Sequence, residues 1–186
     1  MGEPKLKPAT YEDVLAAPEH MIAEIIDGEL SLHPRPALPH AAAASSLGGE
    51  LVPPFSRGRG GPGGWVILFE PELHLGADIL VPDFAGWRRE RLPELPNAPY
   101  IELAPDWVCE VLSSSTQRHD RVRKMRVYAR ERVKHVWLVD PEAQVLEVLR
   151  LEQDNYLIAL RAAEAERVRA EPFDAIELDL AVLWAR

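Results

Sequence analysis

Two short apolar runs with a charged stretch between them constrain the fold of this chain most strongly. Residues 107–112 and 136–139 are almost wholly apolar, and such runs are typical of central strands that are covered on both faces. The intervening residues 120–132 predict a helix. Because a strand–helix–strand connection within one sheet makes its two strands parallel, we predict a parallel pair inside a larger sheet.

The segments around this unit predict antiparallel pairs. Asp27-Gly28 is a two-residue turn signal between residues 21–26 and 29–32, which therefore predict a hairpin. Residues 145–151 and 156–161 predict a second hairpin. Further strands are predicted at residues 65–70, 72–75 and 78–87, the last of them interrupted by Pro82-Asp83, and a helix is predicted at residues 40–51. The predicted fold class is α/β (α+β), a mixed sheet flanked by helices.

Composition predicts an ordinary globular protein. The chain has 186 residues, of which 47% are hydrophobic and 27% are charged, and this length predicts one domain over residues 1–186. No apolar run reaches the ~20 residues that span a bilayer, and the first residues lack the apolar centre of a signal peptide. Cys109 has no second cysteine for a disulfide. These features argue against disordered, fibrous and membrane proteins and predict a cytoplasmic location.

The charge is distributed unevenly along the chain. A net charge of −9 weighs against a strong nonspecific DNA binder. Residues 118–134 nevertheless carry eight basic residues and two acids, so this segment is +6 and the remainder is −15. A basic helix could face a phosphate backbone, and a solvated helix face is the alternative. The basic residues are Arg118, Arg121, Arg123, Lys124, Arg126, Arg130, Arg132 and Lys134.

Glu110 is an acid inside a predicted buried strand. Burying an unpaired carboxylate costs several kcal/mol, so a partner or a metal is expected beside it. Since side chains alternate along a strand, Glu110 and Val108 are expected on one face, with Cys109 and Val111 on the other. A structural salt bridge is the alternative to a functional role.

Asp83 is a second acid at the end of an apolar strand, directly after Pro82. Two carboxylates near the ends of adjacent strands can hold a hard cation, and Mg²⁺ needs only one or two of them because it keeps several waters. Such a metal can polarise a phosphodiester and lower the pKa of a bound water. Asp83 and Glu110 therefore predict a magnesium site.

Lys124 is the third candidate. On the predicted helix Asp120, Lys124 and Tyr128 share a face at i, i+4, i+8 spacing, so Lys124 can reach over the end of the sheet toward the two acids. A lysine there would stabilise charge that develops on phosphorus oxygens. The alternative is a surface pair of Asp120 with Lys124. A separate apolar stripe is predicted to face the core, formed by Val122, Met125, Ala129 and Val133.

Other motif-like stretches carry less information. Residues 57–64 are rich in glycine and predict a loop, but they lack the Gly-Lys-Ser/Thr ending of a phosphate-binding P-loop. The six histidines show no spacing typical of a zinc site. The tryptophans are expected to pack in the core.

Together these residues resemble a known family. Pro82-Asp83 followed by Glu110 within a strand is similar to the PD-(D/E)XK nuclease superfamily, which has the restriction-endonuclease-like fold. More narrowly, the chain resembles the Uma-two family of bacterial proteins, a branch of that superfamily. The segments that carry the resemblance are residues 23–29, 81–83, 105–113, Lys124 with Tyr128, and residues 137–141.

The resemblance implies roles for the three candidates. Asp83 and Glu110 are implied as ligands of Mg²⁺ or Mn²⁺, within a core of about residues 20–140 that is followed by a hairpin extension over about residues 143–186. The superfamily lysine usually lies two residues after the glutamate, where this chain has Leu112. In this branch the lysine is expected on the next helix, as Lys124.

Four further residues are accessory candidates. Glu24 and His40 match family positions, and Glu24 is expected to approach the metal from the first hairpin. An ordinary hairpin acid and a residue at a helix N-terminus are the alternatives for these two. Asp120 and Tyr128 share the helix face of Lys124 and complete the set.

Two hypotheses of function follow. The first is a metal-dependent endonuclease that hydrolyses phosphodiester bonds of DNA with Asp83, Glu110 and Lys124 as catalytic residues. The alternative is a non-catalytic nuclease-fold module for binding or assembly, which the acidic net charge and Leu112 favour. A homodimer or higher homo-oligomer is expected on general grounds. The residues expected to contact nucleic acid are Arg118, Arg121 and Arg123.

Overall fold

The structure of the chain is a computed structural model that describes residues 7–34, 37–112 and 118–184, without the side chains of residues 118–121. The helices are α1 (Tyr11–Leu15), α2 (Leu38–Leu51), which continues into a π-helical turn (Val52–Ser56), α3 (Arg118–Arg130) and α4 (Ala181–Trp184). The strands are β1 (Met21–Ile26), β2 (Glu29–Pro34), β3 (Trp65–Phe69), β4 (Leu73–Leu75), β5 (Asp78–Leu80), β6 (Phe84–Arg88), β7 (Trp107–Val111), β8 (His135–Asp140), β9 (Val145–Glu152), β10 (Asn155–Ala163), β11 (Arg167–Val168) and β12 (Leu178–Asp179). In these ranges no helix is both long enough and apolar enough to cross a membrane.

Two sheets organise the strands. The larger sheet has six strands in the order β10-β9-β8-β7-β6-β3, and the smaller has four in the order β2-β1-β5-β4. Strands β7 and β8 are parallel, with Trp107 opposite His135 and Val111 opposite Val139, and α3 connects them. The other neighbouring pairs of the larger sheet are antiparallel. The predicted parallel pair and the mixed α+β fold are therefore confirmed.

Both predicted hairpins are present. Strands β1 and β2 pair from Ile26 opposite Glu29 outward, and the turn residues Asp27 and Gly28 have φ values of 55° and 78°. Two left-handed residues give a turn whose twist matches that of the flanking strands, which is why Asp-Gly is a strong hairpin signal. Strands β9 and β10 form the second hairpin, and β9 extends the larger sheet by pairing with β8.

One face of the larger sheet packs against α2, its π-helical turn and the C-terminal segment. Phe173 lies at the centre of this core, with its ring centroid 4.7 Å from that of Phe55, 4.9 Å from Trp65, 4.8 Å from Trp107 and 5.6 Å from Trp137. The three tryptophans are buried, so the prediction that tryptophans pack in the core is confirmed for them.

The opposite face of the larger sheet packs against the smaller sheet and α3. Cys109 and Val111 belong to the first core and Val108 to the second. Glu110, which is 8% exposed, therefore shares the face of Val108, and the predicted alternation along β7 is confirmed.

The predicted apolar stripe of α3 is wrong at Val122. Val133 is buried in the second core and Met125 packs against it, but Val122 is 49% exposed. In its place the helix buries Lys124, Val127 and Tyr128, which are 9%, 2% and 0% exposed. The helix turns the face that carries Lys124 inward because the buried carboxylate of Glu110 takes hydrogen bonds from Lys124 and Tyr128. Leaving that acid unpaired would cost more than exposing one valine.

Gly86 lies on β6, between β3 and β7 in the larger sheet. Substituting it tests how closely the tryptophan rings of those two strands pack against β6. A Cβ at this position would lie 3.0 Å from Cε3 of Trp107 and 3.3 Å from Cε3 of Trp65. We expect Gly86→Ala to lower the free energy of unfolding by about 1–3 kcal/mol, because two buried rings would have to move.

The matched control is Gly49→Ala in α2, where a Cβ would meet nothing within 4 Å. That substitution should raise the free energy of unfolding by about 0.5–1 kcal/mol through helix propensity. Urea denaturation of both variants measures the two effects. A Gly86→Ala protein as stable as wild type would contradict the packing described for Trp65 and Trp107.

Candidate active site

Asp83 and Glu110 lie side by side. Pro82-Asp83 carries the chain from β5 in the smaller sheet to β6 in the larger one. Strands β6 and β7 are antiparallel with Phe84 opposite Cys109, so the residue before Phe84 faces the residue after Cys109. The Val111 N–H donates a hydrogen bond of 2.7 Å to Oδ2 of Asp83, which holds this carboxylate at the strand end.

Lys124 reaches both the larger and the smaller sheet. Its Nζ lies 3.3 Å from Oε1 and 3.2 Å from Oε2 of Glu110, and 2.9 Å from Oε1 of Glu24 on β1. A lysine from α3 thus lies beside Glu110. The usual position of the superfamily lysine, two residues after the glutamate, is occupied by Leu112 in this chain.

Glu24 is 1% exposed and accepts contacts from three directions. Besides Lys124, the Val81 N–H donates a 2.6 Å hydrogen bond to its Oε1, and Nε2 of His33 lies 3.4 Å from its Oε2. Sequence reasoning did not single out His33 for this site. The hairpin register pairs Glu24 with Ser31, so strand alternation places His33 on the same face, and that signal could have identified it.

His40 holds the other oxygen of Asp83. It lies in the first turn of α2, 7% exposed, with Nε2 at 2.6 Å from Oδ1 of Asp83. Its Nδ1 is buried and has no hydrogen-bond partner among the described residues. Asp83 is therefore oriented by a contact at each oxygen, one from His40 and one from the Val111 amide.

Tyr128 also contacts Glu110. Its hydroxyl donates a 2.5 Å hydrogen bond to Oε1 of Glu110, one helical turn after Lys124. Asp120, the third residue predicted on this helix face, has its side chain outside the described residues. Of the accessory candidates, Glu24, His40 and Tyr128 thus come together around the two acids.

The buried environment of Glu110 shifts the pKa of this central acid. Burial raises the pKa of Glu110 to about 7, and the nearby charges of Asp83 and Glu24 act in the same direction. Lys124 and the hydroxyl of Tyr128 oppose this shift. Burial disfavours the charge of Lys124, but Glu110 and Glu24 outweigh it and raise the lysine pKa, so the ammonium stays charged.

The donor set fits a hard divalent cation. Three carboxylates, those of Asp83, Glu110 and Glu24, interact with one ammonium, which leaves the site with excess negative charge. The described part of the chain contains no group of three or more His, Cys, Asp or Glu arranged to hold a metal. Mg²⁺ is commonly held by one or two carboxylates and several waters, and Asp83 with Glu110 supplies that number.

Of the three arginines that were predicted to contact nucleic acid, the structure describes the side chain of one. Arg123 is engaged by the first hairpin, because its Nη1 lies 2.7 Å from Oε2 of Glu29 and its Nη2 2.6 Å from the carbonyl oxygen of Ile26. The side chains of Arg118 and Arg121 lie outside the described residues. Contact of these arginines with nucleic acid stays a prediction.

Comparison with known proteins identifies the family and the fold of the chain. The family model Uma-two, described as "Putative restriction endonuclease", matches residues 8–182. The crystal structure of a "putative nuclease belonging to DUF820" from Anabaena variabilis ATCC 29413 superposes with a TM-score of 0.76 at 23% identity and covers 95% of this chain and 98% of that chain. This likeness concerns the fold. No curated protein matches the chain. Since the family match spans both sheets and every residue gathered around Asp83 and Glu110, the chain belongs to the Uma-two family.

Proposed function

We propose that the chain is a metal-dependent endonuclease that hydrolyses phosphodiester bonds of DNA. One observation carries the proposal: Lys124 from α3 lies 3.2 Å from Glu110, which neighbours Asp83 in the register of β6 and β7. Two adjacent carboxylates and a charged lysine supply the groups that phosphodiester hydrolysis needs, a cation site and a stabiliser of developing charge.

Asp83 and Glu110 would hold Mg²⁺ or Mn²⁺. When bound, the divalent cation supplies a Lewis acid and lowers the pKa of a coordinated water. Each carboxylate comes to this role already oriented. His40 and the Val111 amide hold the two oxygens of Asp83, and Tyr128 holds Oε1 of Glu110. The two side chains therefore need little reorientation when the cation binds.

Lys124 would stabilise the negative charge that develops on the phosphoryl oxygens. Its ammonium is held between Glu110 and Glu24 at 3.2 and 2.9 Å, and this prior orientation is what makes an electrostatic contribution effective in a dry site. Glu24 acts as a positioning residue for the lysine. Arg118 and Arg121 stay proposed contacts of the DNA backbone, and Asp120 stays an accessory candidate.

A non-catalytic binding or assembly module is the second candidate. The net charge of −9 weighs against strong nonspecific binding of DNA, and the position two residues after Glu110 holds Leu112 instead of a lysine. This candidate predicts that the folded protein cleaves no form of DNA under any metal condition.

The test uses purified wild-type protein with circular single-stranded DNA and supercoiled double-stranded DNA, each with Mn²⁺, Mg²⁺ or EDTA. The nuclease proposal predicts nicked or linear products with metal and none with EDTA. Circular substrates report endonucleolytic cleavage, because they offer no free end. Intact substrates under every metal condition would favour the binding module.

The pKa of Glu110 predicts how stability depends on pH. It is about 7 in the folded chain and roughly 4.3 in an unfolded one. Between these values the folded state binds a proton that the unfolded state has released, so the free energy of unfolding falls as pH rises through this window. The fall amounts to at most about 4 kcal/mol, since one pKa unit corresponds to ~1.4 kcal/mol.

Urea denaturation in EDTA at several pH values measures this dependence for wild type and Glu110→Gln. We expect the free energy of unfolding to fall more steeply with pH in the wild type than in the variant, which has no titrating group at this position. Parallel pH profiles for the two proteins would show that Glu110 titrates normally and would contradict the effect of its burial.

A further inference from the structure

Four arginines lie at or next to the end of the larger sheet that is away from Asp83. These residues, Arg57, Arg59, Arg88 and Arg89, form the arginine cluster. Arg88 ends β6, and the pairing of Trp65 with Arg88 places the loop of residues 57–64 beside it. All four side chains are exposed.

The glycine-rich loop is fastened to its surroundings by backbone contacts. The Arg59 N–H donates to the Pro53 carbonyl at 2.8 Å, and the Gly63 N–H donates to the Pro54 carbonyl at 2.9 Å. A Cβ at Gly61 would lie 2.4 Å from Cβ of Pro54, so the loop packs too closely there for any side chain. The arginines of this loop are thus presented from a backbone whose path is determined.

The other two arginines are anchored on Trp65. Nη2 of Arg89 donates a 3.0 Å hydrogen bond to the Trp65 carbonyl oxygen, and its N–H donates to the Gly64 carbonyl at 2.9 Å. Cζ of Arg88 lies 4.2 Å from the centroid of the Trp65 ring. A guanidinium stacked on an aromatic ring keeps its N–H edges available for an anion.

The positive charge of the arginine cluster is largely uncompensated. Among the described residues no carboxylate lies within ion-pair distance of any of the four, and the nearby Asp106 pairs with Arg91 at 2.6 Å. Glu90 is the acid next to Arg89 in sequence. Four neighbouring cations repel one another, and in a chain with a net charge of −9 their concentration indicates an anionic ligand with several charges.

The distance to the candidate active site suits a nucleic-acid strand. Asp83 precedes β6 and Arg88 ends it, so five residue steps separate them, or roughly 17 Å at the rise of a β-strand. One strand of a duplex advances about 3.4 Å per nucleotide, which makes this separation roughly five nucleotides. Strand β3, at the edge of the larger sheet, runs between the two places.

We propose that the arginine cluster binds backbone phosphates of the DNA substrate about five nucleotides from the phosphate that is cleaved at Asp83. The inference rests on the proposed function and adds the substrate's path across the protein. Guanidinium groups bind phosphate through paired N–H donors. Because these contacts read no base edge, the binding they add is independent of sequence.

The test measures binding of fluorescent single-stranded and duplex oligonucleotides by anisotropy, in EDTA so that no cleavage occurs, over a series of salt concentrations. We expect Arg57→Ala/Arg59→Ala to weaken binding by about tenfold or more and to lower the salt slope for duplex DNA by about 0.9 per arginine. Arg88→Gln/Arg89→Gln should act in the same direction. The matched control is Arg161→Ala/Arg167→Ala, which removes the same charge from arginines that are 65% and 66% exposed.

The outcomes separate this inference from the proposed function. Wild-type affinity and salt slope in both cluster variants, or an equal loss in the control, would overturn the inference even if the wild type cleaves DNA. A loss of DNA affinity that is confined to the cluster variants supports the inference. If the wild type binds DNA through the arginine cluster but cleaves none, the proposed nuclease function is refuted and the inference on binding stands. Shortening the DNA on one side of the cleavage site below about five nucleotides should raise KM in the wild type and have little effect in Arg57→Ala/Arg59→Ala.

Discussion

Replacing Asp83 by asparagine is expected to abolish metal-dependent cleavage of DNA. The substitution keeps the size of the side chain and an oxygen that can accept the Val111 N–H, which Asp83 accepts at 2.7 Å. It removes one of the two charges that hold the cation. Loss of a metal that contributes several kcal/mol corresponds to a rate at least about 10³-fold lower, since ~1.4 kcal/mol is a factor of ten.

The assay follows conversion of supercoiled DNA with Mn²⁺ or Mg²⁺ above the pKa of Glu110, where that residue is ionised. Asp140→Asn is the matched control, because Asp140 also ends a strand and accepts backbone N–H groups, at 3.0 and 2.9 Å. A second readout is the rise in Tm caused by Mn²⁺, which wild type and Asp140→Asn should show and Asp83→Asn should not. Undiminished cleavage by Asp83→Asn would eliminate the proposed metal site.

Lys124→Met is expected to affect both stability and catalysis. Its Nζ pairs with Glu24 and Glu110, whose side chains are 2% and 11% exposed. Removing one partner of a buried ion pair leaves unpaired charge and costs about 3–5 kcal/mol. Loss of a preorganised charge beside the reacting phosphate should lower the cleavage rate by about 10²–10³.

Two further variants separate these effects. Lys124→Met/Glu24→Gln removes one of the unpaired carboxylates and should recover part of the free energy of unfolding while remaining inactive. Lys134→Met removes an exposed lysine and should change neither property. Because Glu110 has a pKa of about 7, the destabilisation in Lys124→Met should be smaller below this pH. Full cleavage by folded Lys124→Met would discard the chemical role of the lysine and leave the metal site standing.

The secondary structure could largely be predicted because its signals are local. Asp27-Gly28 predicts the first hairpin since both residues tolerate the positive φ values, 55° and 78°, that the turn requires. The apolar runs around β7 and β8 predict a parallel pair because a crossover through one helix permits no other orientation in the same sheet. Such rules connect residues that are close in the chain.

The candidate site could be predicted only in part. Asp83 and Glu110 could be identified as candidates because they are acids among apolar residues. They lie on neighbouring strands, and this explains why they are close together. Helical spacing brought Lys124 and Tyr128 to one face. His40, 43 positions from its partner Asp83, was expected at this site only from the family resemblance, because no spacing rule connects residues so far apart.

The error on α3 has an energetic cause. Counting apolar residues predicted Val122 on the inner face, but the helix buries Lys124 instead. Apolar periodicity measures the gain from removing hydrocarbon from water, which is about 1.5–3 kcal/mol for a whole valine. It takes no account of a carboxylate on the facing sheet that needs a cation, and the cost of leaving that carboxylate unpaired is larger.

The sequence by itself determined most of the strands, the two hairpins, the parallel crossover and the presence of a buried acid at Glu110 that required a partner. Only the tertiary structure decided which partner that acid has, because Lys124 meets Glu110 and Glu24 through the packing of α3 against two sheets. The reason is physical. Backbone geometry and turn chemistry act between residues that are close in the chain. The pairing of buried charges depends instead on which segments, distant in the sequence, pack together in the water-excluded interior.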